Sequence, residues 1–165
     1  VVGCAVLTAC DAPRPDVTFY GNRTAVETGP TRWCTVDAAA ESVNCEDAAP
    51  DDVERLTIPP GKPVQINVPD AIGGVPWAVY FRYLDKDGKL ADGRSEIFTD
   101  RQLAYTLHPF DDADQLTYVE VQSGFILLGG EQNGVDFAVT KSWLLLVDPP
   151  AAEAVDQSDP NLETG

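Results

Sequence analysis

The chain has 165 residues, 44% of them hydrophobic, and its 27 acidic and 11 basic side chains give a formal net charge of −16 at pH 7. This length and composition are typical of one globular domain with a sizeable core. The negative charge argues against nucleic acids and anionic lipid headgroups as ligands, because both are bound through basic patches.

The N-terminus resembles the end of an export signal followed by the lipobox of bacterial lipoproteins. Residues 1–9 carry no charge and are too short to cross a bilayer, and Leu7-Thr8-Ala9-Cys10 ends in the cysteine that a lipobox requires. The resemblance implies that residues 1–9 are residual signal peptide, that Cys10 is lipidated, and that residues 10–16 form a tether. Cys4 is an alternative lipidation site, although the chain after it stays apolar. A buried N-terminal strand is the other interpretation.

Cys34 and Cys45 are the remaining cysteines, and an exported protein would keep them in an oxidising compartment. A disulfide between them would close a loop of about a dozen residues and contribute roughly 3 kcal/mol in the chain-entropy model. A thiol active site would need a CxxC motif or a nearby histidine, and neither is present. The pair therefore predicts a structural staple in a hairpin or loop.

The rest of the chain predicts short β-strands separated by Pro- and Gly-rich turns, and no segment shows a helical period. Residues 63–69 alternate cleanly, and residues 77–83 place four aromatic or β-branched side chains on one face. The predicted strands, together with the extended or apolar segments that continue them, are residues 17–20, 24–27, 32–36, 56–58, 63–69, 77–83, 95–99, 103–107, 116–121, 125–128, 137–139 and 143–147. The predicted loops, links and turns are residues 37–52, 71–74, 85–88, 111–114, 129–134 and 140–142.

About seven to nine short strands at this spacing predict an all-β fold, an immunoglobulin-like Greek-key β-sandwich over residues 17–148 with a disulfide-stapled N-terminal insertion. Residues 56–147 resemble immunoglobulin-like or fibronectin type III-like domains. Tyr118, which follows an acidic turn, resembles the tyrosine corner of such sandwiches. Residues 149–165 are rich in Ala, Pro and acids with no basic residue, which predicts a disordered acidic tail.

The chain from the lipobox to Asp148 also resembles a family of actinobacterial lipoproteins of unknown function, domain of unknown function 2771. The resemblance implies an extracytoplasmic location and a β fold, and it implies no activity. The residues that carry it are Leu7-Thr8-Ala9-Cys10, Arg32-Trp33-Cys34, Cys45, Ile58-Pro59-Pro60-Gly61, Trp77, Tyr83 and Trp143-Leu144.

The sequence offers few residues for catalysis. His108 is the only histidine and precedes a proline, and Ser123 and Ser142 lie outside any Gly-x-Ser-x-Gly motif. One histidine and no methionine also supply too few ligands for a His/Cys zinc site or a Met/His copper site. We therefore expect no catalytic residues and no cofactor. Paired carboxylates in a cleft would be the remaining route to hydrolysis.

Asp111, Asp112 and Asp114 are the candidate metal ligands, because calcium prefers carboxylate oxygens. Asp85 and Asp87 form a second acidic cluster, and neither cluster has the spacing of an EF-hand. Aspartate is also frequent in turns, so two solvated turns are the competing interpretation.

Tyr80 and Arg82 are the candidate binding-surface residues. Both fall on the face of the predicted strand 77–83 opposite its main apolar set. Tyr and Arg are favoured at interfaces, although a second face covered by a loop would also explain them.

Together these patterns predict a lipoprotein anchored through its acyl chains to the extracytoplasmic face of the cell membrane. We expect a non-catalytic module that binds an envelope protein or polymer. The alternatives are a small-ligand or calcium-dependent binding domain and, further from the observations, an envelope hydrolase.

Overall fold

The computed structural model describes residues 13–128 and 136–151. The predicted lipidation site Cys10, the predicted signal residues 1–9 and all but the start of the predicted tail over residues 149–165 lie outside the described residues. The same is true of the loop predicted over residues 129–134. None of the helices in the described ranges has the length and apolarity that a membrane span requires.

The described residues form eleven β-strands, more than the seven to nine expected, and almost no helix. The helical elements of the described residues are a 3₁₀ turn (Pro50–Asp52) and one helical turn, α1 (Asp70–Gly73). The strands are β1 (Val17–Gly21), β2 (Thr24–Thr28), β3 (Arg32–Asp37), β4 (Ser42–Asp47), β5 (Glu54–Thr57), β6 (Val64–Asn67), β7 (Trp77–Leu84), β8 (Leu90–Arg94), β9 (Ala104–Leu107), β10 (Gln115–Leu128) and β11 (Asp136–Asp148).

The strands are arranged in two sheets. The smaller sheet has the order β2-β1-β6-β9, and the larger has the order β4-β3-β11-β10-β7-β8. Strand β5 also joins the larger sheet, where it pairs in parallel with residues 145–148 of β11, while β3 pairs with residues 141–142 of the same strand. The all-β class is therefore confirmed, and the immunoglobulin-like Greek-key identity stays a prediction.

The core lies between the two sheets and follows from the period-two alternation of the strands. In β6, Val64 and Ile66 are buried while Gln65 is exposed. Each fully buried aliphatic or aromatic side chain contributes about 1.5–3 kcal/mol relative to an exposed one. The largest fully buried side chains are Trp77, Trp143, Phe19, Ile58, Ile66, Ile72, Leu107, Leu116, Leu145, Val17, Val64 and Val79.

The break predicted around residues 140–142 is wrong, because β11 runs without interruption and pairs along β10. Thr140 and Ser142, the polar residues that suggest a break, are both buried within the strand. The hydroxyl of Thr140 donates to the carbonyl of Gly124 at 2.7 Å, and Ser142 contacts the hydroxyl of Thr31 at 3.3 Å. Buried hydroxyls with partners are compatible with a strand.

The sequence pattern does not reveal two edge strands. Residues 42–47, predicted as loop, form β4, and residues 90–94 form β8. The strand predicted over residues 95–99 is wrong, since Phe98 forms only an isolated bridge with Trp77. Most side chains of β4 and β8 are exposed, so these strands carry no alternation of apolar and polar residues to detect.

The predicted disulfide between Cys34 and Cys45 is present and joins residues directly opposite each other in the β3–β4 hairpin. The staple therefore lies at the edge of the larger sheet and not in a separate insertion. Arg32 donates to Asp47 at 2.7 Å at the open end of the hairpin, and this hydrogen bond lowers the pKa of Asp47. Because β4 buries almost nothing, the disulfide and this ion pair take the place of core contacts.

Replacing both Cys34 and Cys45 with serine should loosen this hairpin and leave the core intact. The chain-entropy model sets an upper bound of roughly 3 kcal/mol, which corresponds to about a 100-fold faster local opening. Hydrogen–deuterium exchange should show the acceleration in residues 42–47 and little change in β7 and β10. Equal acceleration in those core strands would contradict a local role for the staple.

Candidate binding surface

The outer face of the larger sheet gathers polar and aromatic side chains from three neighbouring strands. In the antiparallel pair β7–β10, Arg82 lies opposite Tyr118 and Tyr80 lies opposite Glu120. On β8, Arg94 lies opposite Tyr80. The residues between them on β7 and β10 point into the core, so these side chains point outward. We define the outer-face cluster as Tyr80, Arg82, Arg94, Tyr118, Glu120 and Gln122.

Two tyrosines and one arginine form the centre of the outer-face cluster. The rings of Tyr80 and Tyr118 meet edge to face with their centroids 5.9 Å apart. The guanidinium carbon of Arg82 lies 5.6 Å from the Tyr80 centroid and 5.0 Å from the Tyr118 centroid, within cation–π range. Its Nε also donates to the Tyr80 hydroxyl at 3.1 Å. The exposed guanidinium is therefore held in place by aromatic rings.

A chain of hydrogen bonds forms the second part of the cluster. Arg94 donates to Gln122 Oε1 at 2.8 Å, and Gln122 Nε2 donates to Glu120 Oε2 at 2.7 Å. Gln122 is buried, so its amide fixes the orientation of both charged neighbours. On the far side, β11 places Leu146 opposite Tyr118 and Leu144 opposite Glu120, both half-buried. The surface thus combines aromatic, cationic, acidic and aliphatic groups on one sheet face.

Burial and, to a smaller extent, the nearby Glu120 carboxylate raise the pKa of Tyr118 from 10.0 to about 12, against an opposing effect of Arg82. Removing the hydroxyl proton would place a negative charge in a half-buried position beside a carboxylate. Tyr118 therefore stays neutral over the physiological range and can act as a hydrogen-bond donor.

The chain should lose stability as pH rises from about 10 to about 12, because the unfolded state releases the Tyr118 proton first. The contribution is fully present below the unfolded pKa and is lost as the pH passes through the folded value. Tyrosinate absorbance should include a step near the upper end of this range that comes from Tyr118. Tyr118→Phe should remove that step, and an unchanged titration curve would contradict the assignment.

The described residues bring together no nucleophile and base. His108 is exposed, while Ser123 and Ser142 are buried in the larger sheet. The hydroxyl of Ser123 donates to the carbonyl of Pro76 at 3.2 Å. What the outer-face cluster offers chemically is recognition of a partner through stacking, ion pairing and hydrogen bonding.

The acidic corner uses its carboxylates to hold a turn. Asp114 is buried and its Oδ2 accepts the backbone N–H of Asp111 at 2.9 Å, while Asp111 Oδ1 accepts the N–H of Ala113 at 2.9 Å. The described residues contain no group of three or more His, Cys, Asp or Glu side chains that could hold a metal ion. Calcium binding by Asp111, Asp112 and Asp114 stays a prediction, which a melting temperature that rises with added calcium would support.

Tyr118 does not form the tyrosine corner that the sequence pattern suggests. A tyrosine corner needs a hydrogen bond from the hydroxyl back to the backbone, and the described residues contain none from Tyr118. Its ring lies against Tyr80 on the outer face instead. The sequence predicts the outward direction of Tyr80 and Arg82, and the same alternation over residues 116–121 would have indicated Tyr118 and Glu120.

A family profile described as "Protein of unknown function (DUF2771)" matches residues 10–148. The searches of curated proteins and of solved structures return no match.

Proposed function

The chain belongs to the family of proteins of unknown function DUF2771, and we propose that it is a non-catalytic binding module of the cell envelope. In this proposal the outer-face cluster holds a protein partner. The observation that carries the proposal is the exposed Arg82 guanidinium fixed between the rings of Tyr80 and Tyr118.

The composition of the surface favours a protein over a polysaccharide. Tyr and Arg are the residues most enriched among those that dominate protein interfaces, and Leu144 and Leu146 add aliphatic area beside them. Orienting the side chains before binding reduces the entropy lost on association. A flat sheet face also fits the surface of a folded partner better than a single sugar, which is held in a cleft.

Arg82 is available to a partner's carboxylate. The ion pairs among the described residues use Arg14, Arg32, Arg55 and Lys86, and none involves Arg82. A guanidinium can hold a carboxylate through two parallel hydrogen bonds, which fixes orientation as well as adding affinity. We therefore assign to the partner an acidic side chain that meets Arg82 at the centre of the interface.

The envelope location is proposed on two grounds. The disulfide between Cys34 and Cys45 supports an oxidising compartment, where such bonds persist. The lipobox-like residues ending at Cys10 support anchoring by acyl chains. Mass spectrometry of the protein isolated from membranes tests the anchor, since it should find acyl mass on Cys10. An unmodified Cys10 would overturn the anchor and leave the binding surface untouched.

Site-directed photo-crosslinking in cells tests the binding surface. A photoreactive phenylalanine analogue in place of Leu146, which lies beside the cluster and leaves its contacts intact, should give one protease-sensitive adduct. The same analogue in place of Phe110, which is 70% exposed and lies outside the cluster, should not give it. The charge reversal Arg82→Glu should reduce the adduct by at least tenfold, whereas the matched reversal Arg101→Glu, also at an exposed arginine, should preserve it.

Two results would contradict this proposal. If the adduct persists in Arg82→Glu, the crosslinked molecule lies near the cluster but does not depend on Arg82 for binding. An adduct that resists protease and disappears with a glycan-degrading enzyme would assign the surface to an envelope polymer and overturn the protein partner.

A further inference from the structure

A groove of about 400 Å³ lies on the opposite side of the domain from the outer-face cluster, on the smaller sheet. Tyr20, Gln65 and Thr106 lie side by side across β1, β6 and β9 and form its floor. The β1–β2 and β5–β6 turns form its walls, so the groove combines segments that are distant in sequence.

The groove is positively charged although the chain is strongly acidic. Among the residues that the structure describes, Arg23 and Lys62 are the only charged ones that line the groove, and no carboxylate does. Neither cation takes part in an ion pair with the described residues. The chain has 27 acidic and 11 basic residues, so two cations at one groove, neither paired with a described carboxylate, differ from the overall negative charge. Charge complementarity therefore points to an anionic ligand.

Contacts within the protein hold the two turns that form the groove walls in place. Asn22 and Arg23 form a two-residue hairpin turn with φ of 47° and 65°, a conformation that suits Asn and Gly and strains Arg. The Asn22 side chain donates to the carbonyl of Thr57 at 3.1 Å and ties this turn to the end of β5. On the other wall, Pro59 and Pro63 flank the turn that carries Lys62. Arg23 is thus held at the groove at a backbone position where glycine would be unstrained.

We propose that this groove binds a phosphate ester of a sugar or polyol. Arg23 would hold the phosphate through paired hydrogen bonds and Lys62 would neutralise its second charge. The exposed face of Tyr20 and the ring of Pro63 provide an apolar surface for the carbon skeleton, and Gln65 and Thr106 provide partners for hydroxyl groups. A volume of about 400 Å³ is in the range of small-ligand sites and is suited to one such residue.

The experiment titrates the intact protein with glucose 1-phosphate, inorganic phosphate and glucose, and follows backbone amides by NMR. Glucose 1-phosphate should shift the amides of Tyr20, Arg23 and Gln65, inorganic phosphate should bind more weakly, and glucose should cause no shift. The double variant Arg23→Gln/Lys62→Gln should weaken binding at least tenfold. The control Lys89→Gln/Arg101→Gln removes the same charge at exposed positions outside the groove, including a second arginine at positive φ, and should bind normally.

Two further experiments distinguish a soluble or polymer-borne phosphate ester from a lipid headgroup. Soluble glycerol phosphate that competes with glucose 1-phosphate indicates a soluble or polymer-borne ester. Binding to phosphatidylglycerol vesicles that depends on Arg23 and Lys62 indicates a lipid headgroup. The proposal is overturned if excess phosphate ester shifts none of the groove amides, if the control pair loses affinity as much as the groove pair, or if glucose binds as well as its phosphate.

Discussion

Replacing Gly61 with alanine should destabilise the domain by about 3 kcal/mol, because two unfavourable effects act at this residue. Gly61 has a φ of 69°, which an L-residue adopts at a cost of about 1–2 kcal/mol. A Cβ added there would lie 2.4 Å from the carbonyl oxygen of Asp112, which is backbone and cannot rotate away. The Gly61 N–H also donates to the carbonyl of Asp114 at 2.9 Å, so moving the turn would break that bond. The melting temperature should fall by roughly 6–12 °C.

Gly88→Ala is the matched control for this substitution. Gly88 has a φ of 73°, but a Cβ added there would meet no atom within 4 Å. Only the cost of the left-handed backbone conformation applies there, so we expect a loss of about 1–2 kcal/mol. Urea unfolding of both variants separates the steric term from the conformational one. Equal losses for Gly61→Ala and Gly88→Ala would show that the contact with Asp112 contributes nothing.

The strands that the sequence predicts best are those with one face in the core. Residues 63–69 and 77–83 alternate because each strand has one buried face, and the structure places β6 and β7 there. β4 escapes detection because its pairing with β3 relies on backbone hydrogen bonds and the disulfide, and neither leaves a hydrophobic pattern. β8 is not predicted for a related reason, because Gly93 packs against the ring of Phe81 and adds no side chain to a hydrophobic pattern.

The alternation of residues along a strand predicts one part of the candidate site and not the rest. It predicts that Tyr80 and Arg82 share a face, because that depends only on their own strand. It cannot predict that Tyr118 lies opposite Arg82, because the pairing shifts register between Leu116 and Tyr118. Periodicity also cannot predict the groove on the smaller sheet, because Arg23 and Lys62 come from different turns that only the folded chain brings together.

The N-terminal segment is held to the sandwich by a small cluster of aromatic and cationic groups. The indole N–H of Trp143 donates to the carbonyl of Pro15 at 2.8 Å. Trp143 meets Trp33 edge to face at 6.3 Å, and the Arg14 guanidinium lies 5.3 Å from the Trp33 ring while it pairs with Glu46 on β4. The stapled hairpin thus holds the point at which the proposed tether joins the domain, which suggests why an exposed edge strand is stapled at all.

Replacing Trp143 with alanine should therefore destabilise the domain by about 3–5 kcal/mol, because the side chain is 1% exposed and its removal leaves a large cavity. That is a large share of the roughly 5–15 kcal/mol that stabilises a typical domain. Trp143→Phe keeps most of the packing and removes the hydrogen bond to Pro15, so we expect a loss of about 1–2 kcal/mol.

The two variants should also differ in where they loosen the structure. In Trp143→Phe, the order parameters of the Arg14 and Asp16 amides from nitrogen-15 NMR relaxation should fall while β7 keeps its protection from hydrogen exchange, because only the attachment of the N-terminal segment is weakened. In Trp143→Ala the core strands should lose protection as well. If Trp143→Phe leaves the order parameters at Arg14 and Asp16 unchanged, the bond to Pro15 does not hold this segment, and the stapled hairpin has no part in orienting the domain on its tether.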